Sequence, residues 1–196
     1  MVNGAALKLA GITRDTPVPQ GGAIEKDDSG EPNGILKENA IDLMSPFLPP
    51  DTPDVLQHAI EMVNQSALSY GLTTIHDITD KLPAYQAAHR DRRMKVRVLI
   101  SPIVTSMADA EVYAKAGVHS GFGDEFLKLG AVKMYADGAP AAKTAAVYMG
   151  PEADRQNLGL LIWKTEEMHT AQHMLAAAGW QLETHAIGRP RYRPGS

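Results

Sequence analysis

The chain contains no cysteine. That excludes disulfides and thiolate metal sites, so any metal would be held by His, by carboxylates or by a modified Lys. Nor is there an uninterrupted apolar run of about 18 residues, so no transmembrane helix and no membrane partner are expected. The N-terminal MVNGAALKLAGITRDTP offers one early cation, Lys8, and no long apolar stretch, so it does not read as a secretory leader. Together these absences predict a cytoplasmic protein. Charge of one sign is missing as well: 19 Lys and Arg stand against 23 Asp and Glu, leaving −4. No Lys/Arg block is present, and nucleic acid is not expected as a partner. Arg189, Arg191 and Arg193 form a small basic tail over 189–196, accompanied by the aromatic Tyr192. What remains is globular: 44% of the 196 residues are hydrophobic, enough for one domain with a core.

Apolar, β-favouring runs fall at GLTTIHDI (71–78), KVRVLI (95–100), LGAVKMYA (129–136) and WQLETHAI (180–187). Helical patterns lie between them. In DTPDVLQHAIEMVNQSALSYG, Thr52 suits an N-cap, Pro53 the first helical position and Gly71 the end. Its predicted buried stripe is Val55, Leu56, Ala59, Ile60, Val63, Ala67 and Leu68. SMADAEVYAKAG and TEEMHTAQHMLAAAG read as two more helices, the latter capped by Thr165 with two glutamates where the helix dipole favours them. Helix, glycine, then a strand ending in His occurs twice, in SYGLTTIHD and AAGWQLETH. Helix and strand in alternation predict a parallel sheet. The wide strand spacing fits a TIM-type (β/α) barrel with long βα loops, but a full barrel needs eight strands. The expectation is a partial barrel over residues 1–188: about four parallel strands, flanking helices and a turn-rich, hairpin-like insertion at 14–37.

Barrel active sites collect at the C-terminal ends of the strands. Polar residues of these strands do the same. His76 and Asp77 close the first run. Lys133, Tyr135 and Asp137 lie two apart in the third, on one strand face. His185 sits near the end of the fourth. Lys133 is the most demanding of these, because an unpaired ammonium inside an apolar strand costs several kcal/mol. His169 and His173 have a helical metal-binding spacing, but the interior Glu of HExxH is absent. Met168, Ala171, Leu175 and Ala178 form the apolar stripe of that helix, which turns both histidines outward. His58, His89 and His119 are expected on helix or loop surfaces.

Several stretches in order, "VNGAALKLAGITRDTPVPQGGAI", "GEPNGILKENA", "GLTTIHD", "GFGDEFLKLGAVKMYADG", "NLGLL" and "THAIG", resemble the amidohydrolase superfamily. Within it they resemble amidohydrolase family 3, the group of N-substituted formamide deformylase. The resemblance runs from about residue 2 to 188. It implies that Lys133 matches a barrel-strand lysine that reacts with CO₂ to give a carbamate bridging two divalent metals. It implies that His185 is a metal-ligand histidine, and that His76 and Asp77, with Tyr135 and Asp137, belong to the site wall. Zinc is the metal expected for such donors. The implied reaction is hydrolysis of amide, N-acyl or N-formyl bonds of a small molecule, with a metal-activated water and a polarised carbonyl.

The sequence departs from that pattern. The first-strand HxH pair, the sixth-strand His and the general-base Asp of the last strand have no counterpart, so no catalytic residue is assigned. Arg189-Pro190-Arg191 follows HAIG where Asp is usual, and RPRYRPGS reads as a foreign tail. Ala139-Pro140-Ala141-Ala142-Lys143 replaces a loop that often carries Ser, Gly and Arg, and Lys grips anions less specifically than Arg. The expectation is therefore a hydrolase fragment, inactive alone, that self-associates or pairs with a complementing barrel fragment, as open strand edges and apolar faces favour. Two alternatives stand beside it: a barrel enzyme using Lys133 as a Schiff-base lysine, and a non-catalytic truncated fragment.

Overall fold

A computed structural model describes residues 1–146 and 159–188; the predicted tail at 189–196 lies outside them. The chain divides into two compact units. One holds the described parts of Met1–Pro49, Tyr135–Thr165 and His185–Ser196, the other Pro50–Met134 and Glu166–Thr184.

In the first unit, helix α1 (Gly4–Leu9) precedes strands β1 (Gly22–Lys26) and β2 (Pro32–Glu38), followed by a 3-10 segment (Asn39–Phe47). β1 and β2 pair antiparallel, so the turn-rich stretch is the hairpin its composition suggested. Asp27 closes the turn: its Oδ1 accepts from the backbone N–H of Ser29 at 2.9 Å and Glu31 at 3.1 Å. Alternation along the strands buries Ile24 and Leu36, which pack with Leu7, Ile12, Ala40 and Met44 into a small core.

The second unit has a three-stranded parallel sheet of β3 (Thr74–Ile78), β4 (Arg97–Ser101) and β5 (Leu127–Leu129), in that order. Helices α2 (Pro53–Ser69), α3 (Leu82–Arg90) and α4 (Met107–Lys115) alternate with these strands, as a parallel sheet requires. Val98 and Ile100 are buried on one side of β4. The expected α2 start is present: Thr52 Oγ1 accepts from Val55 N–H at 3.3 Å and Pro53 opens the helix. Gly71 follows it at φ +73°, a conformation that favours glycine.

Strands β6 (Val132–Tyr135) and β7 (Leu182–His185) form a further two-stranded sheet, with α5 (Thr165–Ala177) between them in sequence. The single strand expected over 129–136 is thus two. At Gly130 and Ala131 the chain changes neighbour. Gly130 N–H still donates to Ile100 O at 2.7 Å, whereas Val132 N–H donates to Gln181 O at 2.8 Å. An apolar run cannot announce that change, because both segments are equally β-favouring. A parallel bridge between Ile103 and Lys133 extends the β4 side of the arrangement. α5 begins at Thr165 itself, buries Met168, Ala171 and Leu175, and leaves His169 and His173 exposed, as the apolar stripe predicted.

The α2 stripe differs from expectation. Ile60, Asn64 and Ala67 are buried, while Val55, Val63 and Leu68 are exposed. Asn64 holds the central position because its amide serves the chain leading into β4. Its Nδ2 donates to Arg93 O at 3.2 Å and its Oδ1 accepts from Lys95 N–H at 3.1 Å. Replacing Asn64 by Ala leaves both backbone groups without these partners and is expected to lower unfolding free energy by about 1–3 kcal/mol. Val63→Ala, at a position 39% exposed, is expected to change it by less than about 0.5 kcal/mol. Urea titrations of the two variants check the assignment; equal losses would contradict this helix face.

Candidate functional site

Lys133 lies on β6 and is only 8% exposed. Its backbone is fixed on the β4 side, N–H donating to Pro102 O at 2.7 Å and carbonyl accepting from Val104 N–H at 2.9 Å. Its Nζ donates to Glu183 Oε1 at 2.7 Å. The buried ammonium is therefore matched by a carboxylate, which relieves much of the cost of placing it in a strand. The sequence reading did not single out Glu183. The signal was available: Glu183 is two residues before His185, and such residues share a strand face.

His76 also falls in this unit. It faces a cavity of about 520 Å3 lined as well by Leu99, Ser101, Gln181 and Glu183. Its neighbour Asp77 accepts from Tyr85 Oη, on α3, at 2.7 Å. Successive strand residues face opposite sides, so the two members of the pair serve different surroundings. Of the remaining histidines, His58 and His119 are exposed, and His89 meets Asp124 at 2.8 Å on the surface.

Tyr135, Asp137 and His185 come together in the other unit. Asp137 is 3% exposed. Its Oδ1 accepts from Ile187 N–H at 3.0 Å, and its Oδ2 accepts from Ala146 N–H at 2.9 Å and Gly188 N–H at 2.8 Å. Burial pushes this carboxyl up, but the three N–H donors and the nearby His185 outweigh it and hold the pKa below the usual carboxylate value. Asp137 Oδ1 is 4.0 Å from His185 Nε2. That nitrogen lies 3.2 Å from Gly138 O. A carbonyl only accepts, so this bond places a proton on Nε2, and in the neutral ring the lone pair is then on Nδ1. The Tyr135 and His185 rings sit 5.7 Å apart, centroid to centroid, tilted by 46°.

Loop 137–146 is closed by its own bonds. Ala139 N–H donates to Thr144 Oγ1 at 2.9 Å, and Thr144 N–H to Ala139 O at 3.1 Å. The Thr144 hydroxyl donates to Glu38, the last residue of β2. Glu38 adopts φ 48° and ψ −130°, which for a residue with a side chain costs about 1–3 kcal/mol.

The family's sequence profile, that of the amidohydrolase family, matches residues 1–192. The chain belongs to the amidohydrolase family. YtcJ of Bacillus subtilis is 29% identical over 195 residues, covering 95% of this chain and 36% of YtcJ. The N-substituted formamide deformylase of Arthrobacter pascens is 55% identical over 42 residues, 21% of this chain and 8% of that enzyme. The crystal structure of an uncharacterized metal-dependent hydrolase from Pyrococcus horikoshii superposes with a TM-score of 0.68 at 20% identity, over 95% of this chain and 36% of that one. The shared fold is mixed α/β with a parallel sheet. The chain spans about a third of the length of YtcJ and of that solved structure.

Members of this family are expected to hold a divalent metal, and the donors of this chain can be compared with what such an ion needs. Among the described residues, no group of three or more His, Asp or Glu is placed to hold an ion. The Asp137 oxygens already accept from three N–H groups, and the Lys133 amine is engaged by Glu183. These residues do not form a complete metal site, since catalytic sites use three protein ligands or more.

The Asp77–Tyr85 contact has a pH signature. Burial raises the Tyr85 phenol, and the Asp77 hydrogen bond and charge raise it further, well above the ordinary value of about 10. The folded state then keeps a proton that the unfolded chain releases near pH 10. The contribution is fully present below that pH and is lost as pH rises toward the folded value. Against Tyr85→Phe, the wild-type chain should show its largest stability advantage at pH 7–9, shrinking steadily above pH 10 in urea titrations. An advantage that grows with pH would contradict this contact.

Proposed function

We propose that this chain contributes part of a metal-dependent hydrolase site, built in a partial (β/α) barrel over residues 1–188, that cleaves carbon–nitrogen bonds of small amides or N-formyl compounds. Lys133 and His185 are its ligands, and His76, Asp77, Tyr135 and Asp137 belong to its surroundings. Zinc suits an imidazole with a carboxylate-like donor. The observation that carries the reading is Lys133, a lysine only 8% exposed on a strand of an amidohydrolase-family chain. The amide class follows the name of the Arthrobacter pascens relative, an N-substituted formamide deformylase.

In the geometry described, the Lys133 amine is an ion-paired ammonium, and only a neutral amine adds to CO₂. Conversion to a carbamate therefore requires the Glu183 contact to open. The same pairing weighs against a Schiff-base role, which also needs a neutral amine. With two ligands in place, the polypeptide alone is inactive and binds metal weakly. Exposed apolar side chains such as Val55, Met62 and Tyr70 favour association with a complementing partner or a second copy.

The test combines zinc, bicarbonate and an N-formyl amine with the purified 196-residue chain. Metal analysis by mass spectrometry is expected to find well under one equivalent, reduced further by Lys133→Met and by His185→Gln. Amine release should not exceed the buffer rate. Enzyme-like turnover would overturn the claim of inactivity. Metal content indifferent to both substitutions would remove the ligand assignment.

A further inference from the structure

Glu38 lies in the GEPNGILKENA stretch, which the proposed site does not use, and ends β2. Two observations make it more than a strand end. Its backbone adopts a positive φ of 48° without being glycine. Its carboxylate accepts from Thr144 Oγ1 and lies against Gly138, where an added Cβ would come within 2.6 Å of Glu38 Oε1 and would also collide with Thr144. Gly138 is the residue whose carbonyl meets His185 Nε2 at 3.2 Å. Thr144 in turn accepts from Ala139 N–H at 2.9 Å, so it fixes the peptide that follows Gly138. A continuous set of contacts runs from Glu38 through Thr144 to the Gly138 carbonyl and the His185 imidazole, all within one unit.

We propose that Glu38 is a positioning residue: through Thr144 it sets the Gly138 carbonyl that holds His185 as the Nε2–H tautomer, with the Nδ1 lone pair left open. The strained backbone at Glu38 is what aims its carboxylate at Thr144. The hydroxyl donates its one proton to Glu38, which leaves its oxygen to accept from Ala139 N–H. Without the Glu38 acceptor, the hydroxyl is free to turn to Ala139 O, 3.3 Å away, and the peptide carrying the Gly138 carbonyl loses its fixed orientation. The imidazole then keeps only its intrinsic bias toward Nε2–H, and the Nδ1–H tautomer becomes populated beside it. The inference rests on the proposed function only in making His185 the group worth positioning. Its test involves no metal, so the two can fail separately.

The experiment reads the ¹⁵N and ¹H signals of the neutral His185 ring by NMR in the metal-free 196-residue chain, with the His185→Gln variant identifying the signals. The wild-type chain is expected to show the Nε2–H pattern. Glu38→Gly removes the acceptor while suiting the positive φ, and is expected to give a mixture of the two neutral tautomers in place of the single Nε2–H pattern. Thr144→Ala should do the same by a second route, which keeps the test decisive if the first variant folds poorly. Glu38→Gln retains an accepting oxygen and should restore the wild-type pattern. Methyl signals of Ile24 and Leu36, in the core of the same unit, serve as the folding control. An unchanged Nε2–H pattern in either the Glu38→Gly or the Thr144→Ala variant, once folded, overturns the proposal. So does a Glu38→Gln spectrum that matches Glu38→Gly.

Discussion

One buried carboxylate organises the first unit. Asp137 gathers N–H groups from Ala146, Ile187 and Gly188. These come from two segments far apart in sequence. Unpaired buried N–H groups are expensive, and a charged acceptor satisfies them more strongly than a neutral one. The loop after β6 and the residues after β7 are therefore joined at a single side chain. Everything proposed for His185 depends on that joint, because the imidazole meets the carbonyl next door, at Gly138. Asp137 acts on the backbone first and on chemistry only through what the backbone carries.

Lys133 poses the same physical question with the opposite sign. Its solution is the Glu183 carboxylate, 2.7 Å away, with the strand backbone held on the β4 side. The pair explains why a cation is tolerated in β6 without invoking a modification. It also sets a condition on any chemistry at that amine, since the ammonium must part from Glu183 before it can act as nucleophile or accept CO₂. The ion pair shows how the fold accommodates the lysine.

Much of the fold was legible because its signals were local. Thr52, Pro53 and Gly71 bounded α2 through capping chemistry that needs no tertiary information. The hairpin at β1 and β2 followed from turn residues, and the outward placement of His169 and His173 from the apolar stripe of α5. What escaped detection depended on partners remote in sequence. Asn64 is buried because Arg93 and Lys95, about thirty residues on, need its amide, and no periodicity of apolar residues can show that. The break between β5 and β6 reflects a change of neighbouring strand inside one continuous apolar run. At the candidate site, the residue types were read from strand ends, but their partners were not: Glu183 for Lys133, Tyr85 for Asp77, Thr144 and Glu38 for the loop beside His185.

Those misses share a cause that bears on how the site should be understood. Sequence patterns report which residues are polar at a strand end, and a polar residue there can serve a ligand or the backbone. In this chain the backbone claims come first for Asp137 and Thr144, and a side-chain claim comes first for Asp77 and Lys133. His185 differs, because its single described bond to Gly138 uses one ring nitrogen and leaves the other's lone pair open. Glu38 sharpens the contrast. A residue held at positive φ stores strain that the surrounding contacts must outweigh, and the contacts that outweigh it here lead to Thr144 and Gly138. In the arrangement proposed, that strain is coupled through Thr144 and Gly138 to the His185 imidazole, and the β2 end then belongs to the site's architecture although it contributes no ligand of its own.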